Sequence, residues 1–306
     1  MSKVAVIRFS RENAAGPLTE KEYSILLEAG LRIINGRATA AETVRLLMPS
    51  GVVGMKTNCL TGKLNSTPPA LVDALSKLLV GGGIDENNIV VWERTNRELE
   101  SAGFKLNASS FGRRCIGTDT GGYGYGTDFA TSGEVNTLIS RILNGVIDHN
   151  INLPVLKDHS IAGLSGCLKN MFGAIHNPNK FHDNNCDPFA ADVSNLAPIK
   201  RRHRLGVIDA VRVQYNNGPG FDSRHLIYYD GIIMSEDPVA ADRVGLEILE
   251  HCRAVNNLPP LEKTGRPVKY LKSAEERGVG VADLNGIDLS VISVDADGNR
   301  KEAELL

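Results

Sequence analysis

The stretch 151-INLPVLKDHSIAGLSGCLKNMFGAIHNPNKFH-182 decides the fold. Its opening, Ile151 to Leu156, is an apolar run with the length and composition of a buried strand. Lys157, Asp158 and His159 follow where that strand is expected to end. Gly163, Ser165 and Gly166 mark a turn. Leu168, Met171, Phe172 and Ile175 then recur at helical spacing, with Lys169 and Asn170 at the start of the segment. Strand, polar cluster, small-residue turn and helix form the layout in which an open α/β sheet presents chemistry. Strand ends line a crevice, and a helix N-terminus offers unpaired N–H groups. A tight connection carrying solvated charges is the plainer alternative, and it leaves so many reactive side chains in one place unexplained.

Working outward, strands are expected at 3–9, 51–59, 89–92, 205–215, 225–234 and 287–294. Helices are expected near 19–34, 40–48, 69–80, 96–102, 189–200, 236–249 and 272–278. Thr39 and Glu42 make a capping box, Pro68 and Pro69 open a helix, and Asp237 before Pro238 is an N-cap. Residues 111–133, with 121-GGYGYGTD-128, read as a flexible or substrate-covering loop, because no GxGxxG lies between a strand and a helix there. Strands alternating with helices over short connections predict an α/β fold. The sheet is expected to be doubly wound and mainly parallel, with helices on both faces and an active crevice at the strand C-terminal ends. Residues 1–255 form the main domain in this reading, either as one unit or as lobes 1–135 and 136–255. Residues 256–306 are an extension packing back on it.

The chain has 306 residues, 23% charged and 42% hydrophobic, with net charge -2. That balance gives no general electrostatic case for nucleic acid or an anionic membrane. The basic run 200-KRRHR-204 reads as a solvated helix end. No apolar segment reaches the length of a transmembrane helix, and the N-terminus reads as a first strand rather than a secretory leader. The five cysteines include no CxxC pair, which argues against a zinc ribbon or a four-cysteine cluster and for reduced thiols in a cytoplasmic protein. A homodimer is the base-rate expectation.

Polar groups after successive strands should meet at one edge of the sheet. Lys157, His159 and Lys169 are the sharpest set. Paired lysines hold an anion and lower one another's pKa, and a histidine moves protons near neutrality. Lys56, Asn58, Glu93, Arg94, Asn170 and Asn217 are the expected substrate-binding groups, the asparagines orienting a carbonyl or oxyanion. His176, His182 and Cys186 form a second constellation, an imidazole and thiolate set suited to a transition metal, iron or nickel. Its spacing matches no standard motif, so a polar loop over the site is the competing reading. Cys167 reads as a small buried thiol, and Trp92 as core.

Several stretches resemble the family catalogued as domain of unknown function 362. They are 52-VVGMKTN-58, 83-GIDENNIVVWE-93, 152-NLPVLKDHSIAGLSGCLKNMFG-173, 216-NNGPGF-221 and 236-EDPVAADRVG-245. Many relatives in that family carry added cysteine-ligated clusters, for which this chain lacks the ligands. More distantly, His159, Ala162, Gly163, Ser165, Gly166 and Lys169 are similar to a motif of the nickel-pincer lactate racemase superfamily. That likeness implies a catalytic role for His159 and a cofactor-anchoring role for Lys169. The chain departs from the motif where Arg94 to Asn96 stand in place of a histidine and Lys56 to Pro69 replace an arginine-proline loop, so only the two positions carry over.

The leading expectation is an enzyme on a small anionic, carboxylate-like substrate. His159 is its acid or base, and Lys157 and Lys169 clamp the anion. The reaction class stays open between lyase or isomerase chemistry and metal-assisted chemistry. A metal or iron–sulfur linked accessory protein and a non-catalytic anion-binding protein are the alternatives.

Overall fold

Strand β1 (Ser2–Phe9) shows how the sheet is used. Val4 and Val6 enter one core, and Ala5, Ile7 and Phe9 enter the other. Successive side chains of a strand point to opposite faces, so a strand covered on both faces is apolar almost throughout. The computed structural model describes residues 1–11 and 16–306. After β1 come α1 (Glu20–Asn35), α2 (Ala40–Leu47), β2 (Val53–Thr57), α3 (Pro69–Gly81), β3 (Ile89–Glu93), α4 (Asn96–Ala102), β4 (Arg114–Gly117), β5 (Ala130–Ser132) and β6 (Val135–Thr137). The central stretch supplies β7 (His149–Leu153), β8 (Val155–His159), β9 (Gly163–Ser165) and α5 (Cys167–Asn170). Then follow α6 (Phe189–Asn195), α7 (Ala197–Arg202), β10 (His203–Gln214), β11 (Leu226–Ser235), α8 (Pro238–Val255), α9 (Tyr270–Glu276), β12 (Ile287–Val294) and β13 (Arg300–Glu302).

The main sheet has the order β13-β12-β1-β11-β10-β7-β2-β3-β4. Strands β12, β1, β10, β7, β2, β3 and β4 run one way, and β11 and β13 run the other. The fold is α/β, with helices on both faces of a mainly parallel sheet. Helices α1 to α4 bring Leu27, Val44, Leu75 and Leu99 to one core. Helices α5, α6, α8 and α9 bring Leu168, Val193, Val244 and Leu271 to the other. Beyond residue 255, β12 pairs with β1 in register from Ser2–Ile287 to Phe9–Val294, so this part of the chain extends the same sheet. Helix ends follow the sequence signals. Thr39 and Glu42 make a reciprocal cap on α2, and the Asp237 carboxylate accepts the Val239 and Ala240 N–H groups at the start of α8.

Five expectations about secondary structure change. First, the central strand does not stop at Leu156. Pro154 has no N–H to give, so the ladder breaks there. The chain then resumes as β8, which carries Lys157, Asp158 and His159 inside a strand paired to β10. Second, the supposed turn is strand β9, folded back antiparallel on β8 with the Lys157–Ser165 and His159–Gly163 pairs. Gly163 has φ +76°, and a Cβ there would lie 2.6 Å from the Arg266 carbonyl oxygen, so the hairpin requires glycine. Third, the helical spacing after it yields one turn of α5 and then a 3₁₀ turn, Met171–Ala174. Fourth, the glycine-rich 111–133 segment is not wholly loop. It contains β4, the edge strand beside β3, and β5, half of the β5–β6 hairpin. Fifth, the helix expected over 189–200 divides at Leu196 into α6 and α7.

Among the described residues, no helix is long and apolar enough to cross a membrane.

Candidate functional site

The C-terminal ends of β2, β3 and β8 open onto a cavity of ≈ 160 Å³. Its wall includes Lys56 and Asn58 after β2, Glu93 and Arg94 after β3, Lys157 and His159 from β8, and Lys169 and Asn170 from α5. Pro178, Asn179 and His182 close it from the loop beyond α5. Alternation along β8 turns Lys157 and His159 to this side. Asp158 faces away, where it pairs with Arg266 at 2.7 Å, sits 3.8 Å from Arg253 and accepts the Gly218 N–H.

The charges divide into paired and unpaired. Lys56 and Glu93 form a buried ion pair at 2.6 Å, and Lys56 also donates to the Thr57 carbonyl. Burial outweighs the pull of Lys56 and leaves the Glu93 carboxyl above its ordinary range. Gly173 lies against this pair. A Cβ there would come within 2.8 Å of Lys56 Nζ, so a side chain would push the ions apart. Arg94 pairs with Glu98 at 2.6 Å.

Lys157 and Lys169 have no such partners: neither forms an ion pair with a described residue. Lys157 is fully buried and donates to Asn58 Oδ1 at 3.1 Å and to the Asn65 carbonyl at 3.0 Å, both uncharged acceptors. Lys169 Nζ lies 3.0 Å from His182 Nε2 and 3.8 Å from the centre of the Phe172 ring. Burial pushes each ammonium down to about 8.

His159 is held in one tautomer. Its Nδ1 accepts the backbone N–H groups of Ile161 and Ala162, each at 3.1 Å. The proton of the neutral ring therefore sits on Nε2. Burial, then Lys169, His182 and Lys157, push its pKa down to about 3. His182 stacks on His159 with ring centres 5.9 Å apart and has the opposite tautomer. Its Nδ1 donates to the Pro178 carbonyl, so its Nε2 is an acceptor for Lys169.

Of the residues singled out in the sequence, Lys56, Asn58, Glu93, Arg94, Lys157, His159, Lys169 and Asn170 come together, joined by His182. Asn217 does not. It is exposed, and its amide bonds to Asp222, while Pro219 of the same loop touches the cavity. The metal set His176, His182 and Cys186 is not assembled either. His176 Nδ1 accepts the Leu138 N–H and its ring packs near Tyr125. Cys186 is buried with its thiol near the His182 carbonyl. Among the described residues, no group of three or more His, Cys, Asp or Glu is placed to hold a metal. Cys167 is buried, and burial pushes its thiol well up, which fits the inert reading. Trp92 is core, with its indole N–H on Asn150.

Sequence reasoning missed Glu98, Ser165, Phe172, Pro178 and Asn179 in the wall, and Asn65 and Asn152 behind it. Two of these had a signal: Phe172 its helical spacing from Leu168, and Ser165 its place in the small-residue turn and the racemase-like motif.

A family model described as Domain of unknown function (DUF362) matches residues 53–247. The chain belongs to that family. The match runs from β2 into α8, so every group lining the cavity lies within the DUF362 region. No curated protein matches the chain. Among solved structures, this DUF362 chain is similar to a Thermotoga maritima protein solved by a structural genomics consortium. The identity is 14% and the TM-score 0.46, over 80% of this chain and 60% of that one. The chain thus spans less than two thirds of that protein's length.

Proposed function

We propose that the cavity binds a small carboxylate-like anion and acts on it by acid–base chemistry. One observation carries this reading: Lys157 and Lys169 face one small cavity as buried cations with no acidic partner among the described residues. An unpaired buried charge is costly, and an anion between the two lysines offsets that cost. The volume suits a ligand of a few heavy atoms, comparable with a cavity that takes benzene.

The chemistry expected of His159 is redistributed. With Nδ1 occupied by two backbone N–H groups and Nε2 carrying its proton, the neutral ring is a hydrogen-bond donor rather than a base. A neutral imidazole of this kind polarises a carbonyl or carboxylate oxygen without surrendering its proton. The base role passes to Lys169, whose amine, titrating near 8, keeps a neutral fraction at working pH. His182 receives one of its N–H bonds and leaves the lone pair for the ligand. Lys157 supplies the fixed positive charge.

The test is thermal stabilisation of the protein by acetate, oxalate, malonate and phosphate at pH 7, followed by solvent-deuterium incorporation at the carbon beside the carboxylate. Stabilisation lost in Lys157→Met, with deuterium uptake lost in Lys169→Met, supports the reading. No stabilisation of the unmodified chain by any of the four rejects it. Stabilisation without deuterium uptake by any carboxylate leaves an anion-binding protein in place of an enzyme.

A further inference from the structure

Three asparagines from three separate parts of the chain, two buried and one half-buried at the cavity wall, form one hydrogen-bonded line. Asn152, at β7, donates from Nδ2 to the Cys167 carbonyl at 2.8 Å. Asn170, in α5, donates from Nδ2 to Asn152 Oδ1 at 2.7 Å. Asn58, after β2, donates from Nδ2 to Asn170 Oδ1 at 3.2 Å. Lys157 donates to Asn58 Oδ1 at 3.1 Å. Asn152 and Asn170 are buried, at 1% and 6% exposure.

The direction of this line is fixed at its far end. A backbone carbonyl only accepts, so Asn152 must turn its NH₂ group to Cys167 and its oxygen to Asn170. The same choice then passes to Asn170, whose Nδ2 holds Asn152 Oδ1 at 2.7 Å and the Lys56 carbonyl by a longer bond of 3.4 Å, and from there to Asn58. Asn58 is left with its oxygen, not its NH₂ group, toward Lys157. Reversing any one amide sets donor against donor or acceptor against acceptor at two junctions, each a lost buried hydrogen bond.

We propose that Asn152, which lines no part of the anion cavity, is a positioning residue for Lys157, acting through Asn170 and Asn58. The line holds one Lys157 N–H on Asn58 and the Asn65 carbonyl holds a second, so the third direction of the ammonium is set toward the cavity. The proposal deepens the anion-binding reading and rests on it only for the effect on ligand. Cys59, Glu93 and His159 are the other titratable groups acting on Lys157, with Lys56 and Lys169 in the same wall; none of their side chains joins the line, and Lys56 meets it only through its backbone carbonyl.

The experiment follows the Lys157 side chain by NMR of protein labelled with lysine ¹³C at Cε, the signal being assigned from its loss in Lys157→Arg. Asn152→Leu frees Asn58 to turn its NH₂ group to Lys157, which disfavours the ammonium. The Lys157 midpoint then falls by about half a pH unit or more. Asn152→Asp restores it: burial keeps the acid neutral, so its hydroxyl replaces the NH₂ donor to Cys167 and its carbonyl still accepts from Asn170. Asn152→Ala gives the same reading as the leucine variant if leucine prevents folding. A merely structural Asn152 lowers Tm and leaves the midpoint where it was, which overturns the proposal. Oxalate titration of the same variants separates the two readings. A shifted midpoint in a protein that binds no anion upholds the asparagine line and rejects the anion site. An unshifted midpoint in a protein that binds oxalate does the reverse.

Discussion

Lys169 Nζ lies 3.0 Å from His182 Nε2, and the other nitrogen of that ring is committed to the Pro178 carbonyl. His182 can therefore only accept from the lysine, and it also shields Lys169 from water. Burial is the main cause of the lowered Lys169 pKa, so opening the wall should reverse it. Acetylation of Lys169 by a limiting amine reagent, followed by peptide mass spectrometry from pH 6 to 10, should show a midpoint near 8 in the unmodified chain. In His182→Ala the midpoint moves up toward the ordinary lysine value, and labelling at pH 7.5 slows several-fold. An unchanged midpoint means that His182 does not set the environment of this amine.

His159 makes a prediction about acid. Its folded-state pKa lies near 3, below the ordinary 6.5. Between these values the unfolded chain binds a proton that the folded chain refuses. Stability therefore falls as pH drops from 6.5 toward 3, by up to about 1.4 kcal/mol per pH unit. His159→Gln cannot titrate, so its stability should decline less steeply across that window. Urea midpoints of both proteins at pH 7, 5.5 and 4.5 measure the difference. The ring should also stay neutral in NMR spectra across pH 5 to 8. A His159 signal titrating near 6.5 would remove the donor role.

Much of this was legible because both faces of the sheet are covered. Double coverage makes β1, β2, β3 and the β7–β8 run apolar, and it sends the polar residues to the strand ends. Lys56, Glu93, Lys157 and Lys169 stood out for that reason. What was hidden depended on partners distant in sequence. Asn152 looked like part of an apolar strand, since its amide is satisfied by Cys167 and Asn170. Asp158 looked like a member of the site, but strand alternation turns it to Arg266. Asn217 was placed by loop composition, whereas φ +58° and Asp222 hold it outward. The four residues of β4 were too few to show a period. His176, His182 and Cys186 were grouped by residue type and nearness in sequence, yet the turns at 178–181 and 184–186 aim them at different neighbours.

Lys157 makes a prediction about base. An anion held by its ammonium should bind more weakly as pH rises through about 8, whereas any carboxylate probe is already ionised there. The thermal shift given by oxalate should fall between pH 7 and pH 9, and Lys157→Met should show little shift at either pH. The sign for stability is separate. The unfolded lysine keeps its proton to about 10.5 while the folded one loses it near 8, so this group makes the unliganded protein more stable as pH rises through that window. Lys157→Met lacks this rise. A protein whose oxalate response is flat from pH 7 to 9 does not use this lysine.

The ion pair of Lys56 and Glu93 is the fully buried charge pair in the wall, and it predicts a coupling rather than a pH effect. Both groups are buried, at 1% and 5% exposure, and Gly173 leaves just enough room for them. Removing either partner strands the other charge away from water, at a cost of roughly 3–5 kcal/mol. Removing both leaves no stranded charge. Lys56→Met should therefore lower stability strongly, and the double variant Lys56→Met with Glu93→Gln should recover part of the loss. Gly173→Ala should cost less than the single variant, because its methyl group displaces the flexible end of Lys56 without removing the charge. Urea denaturation of Lys56→Met, Glu93→Gln, the double variant and the parent closes the cycle. Additive losses in the double variant would show that the pair is not energetically coupled, and the cavity would then carry a third unbalanced cation.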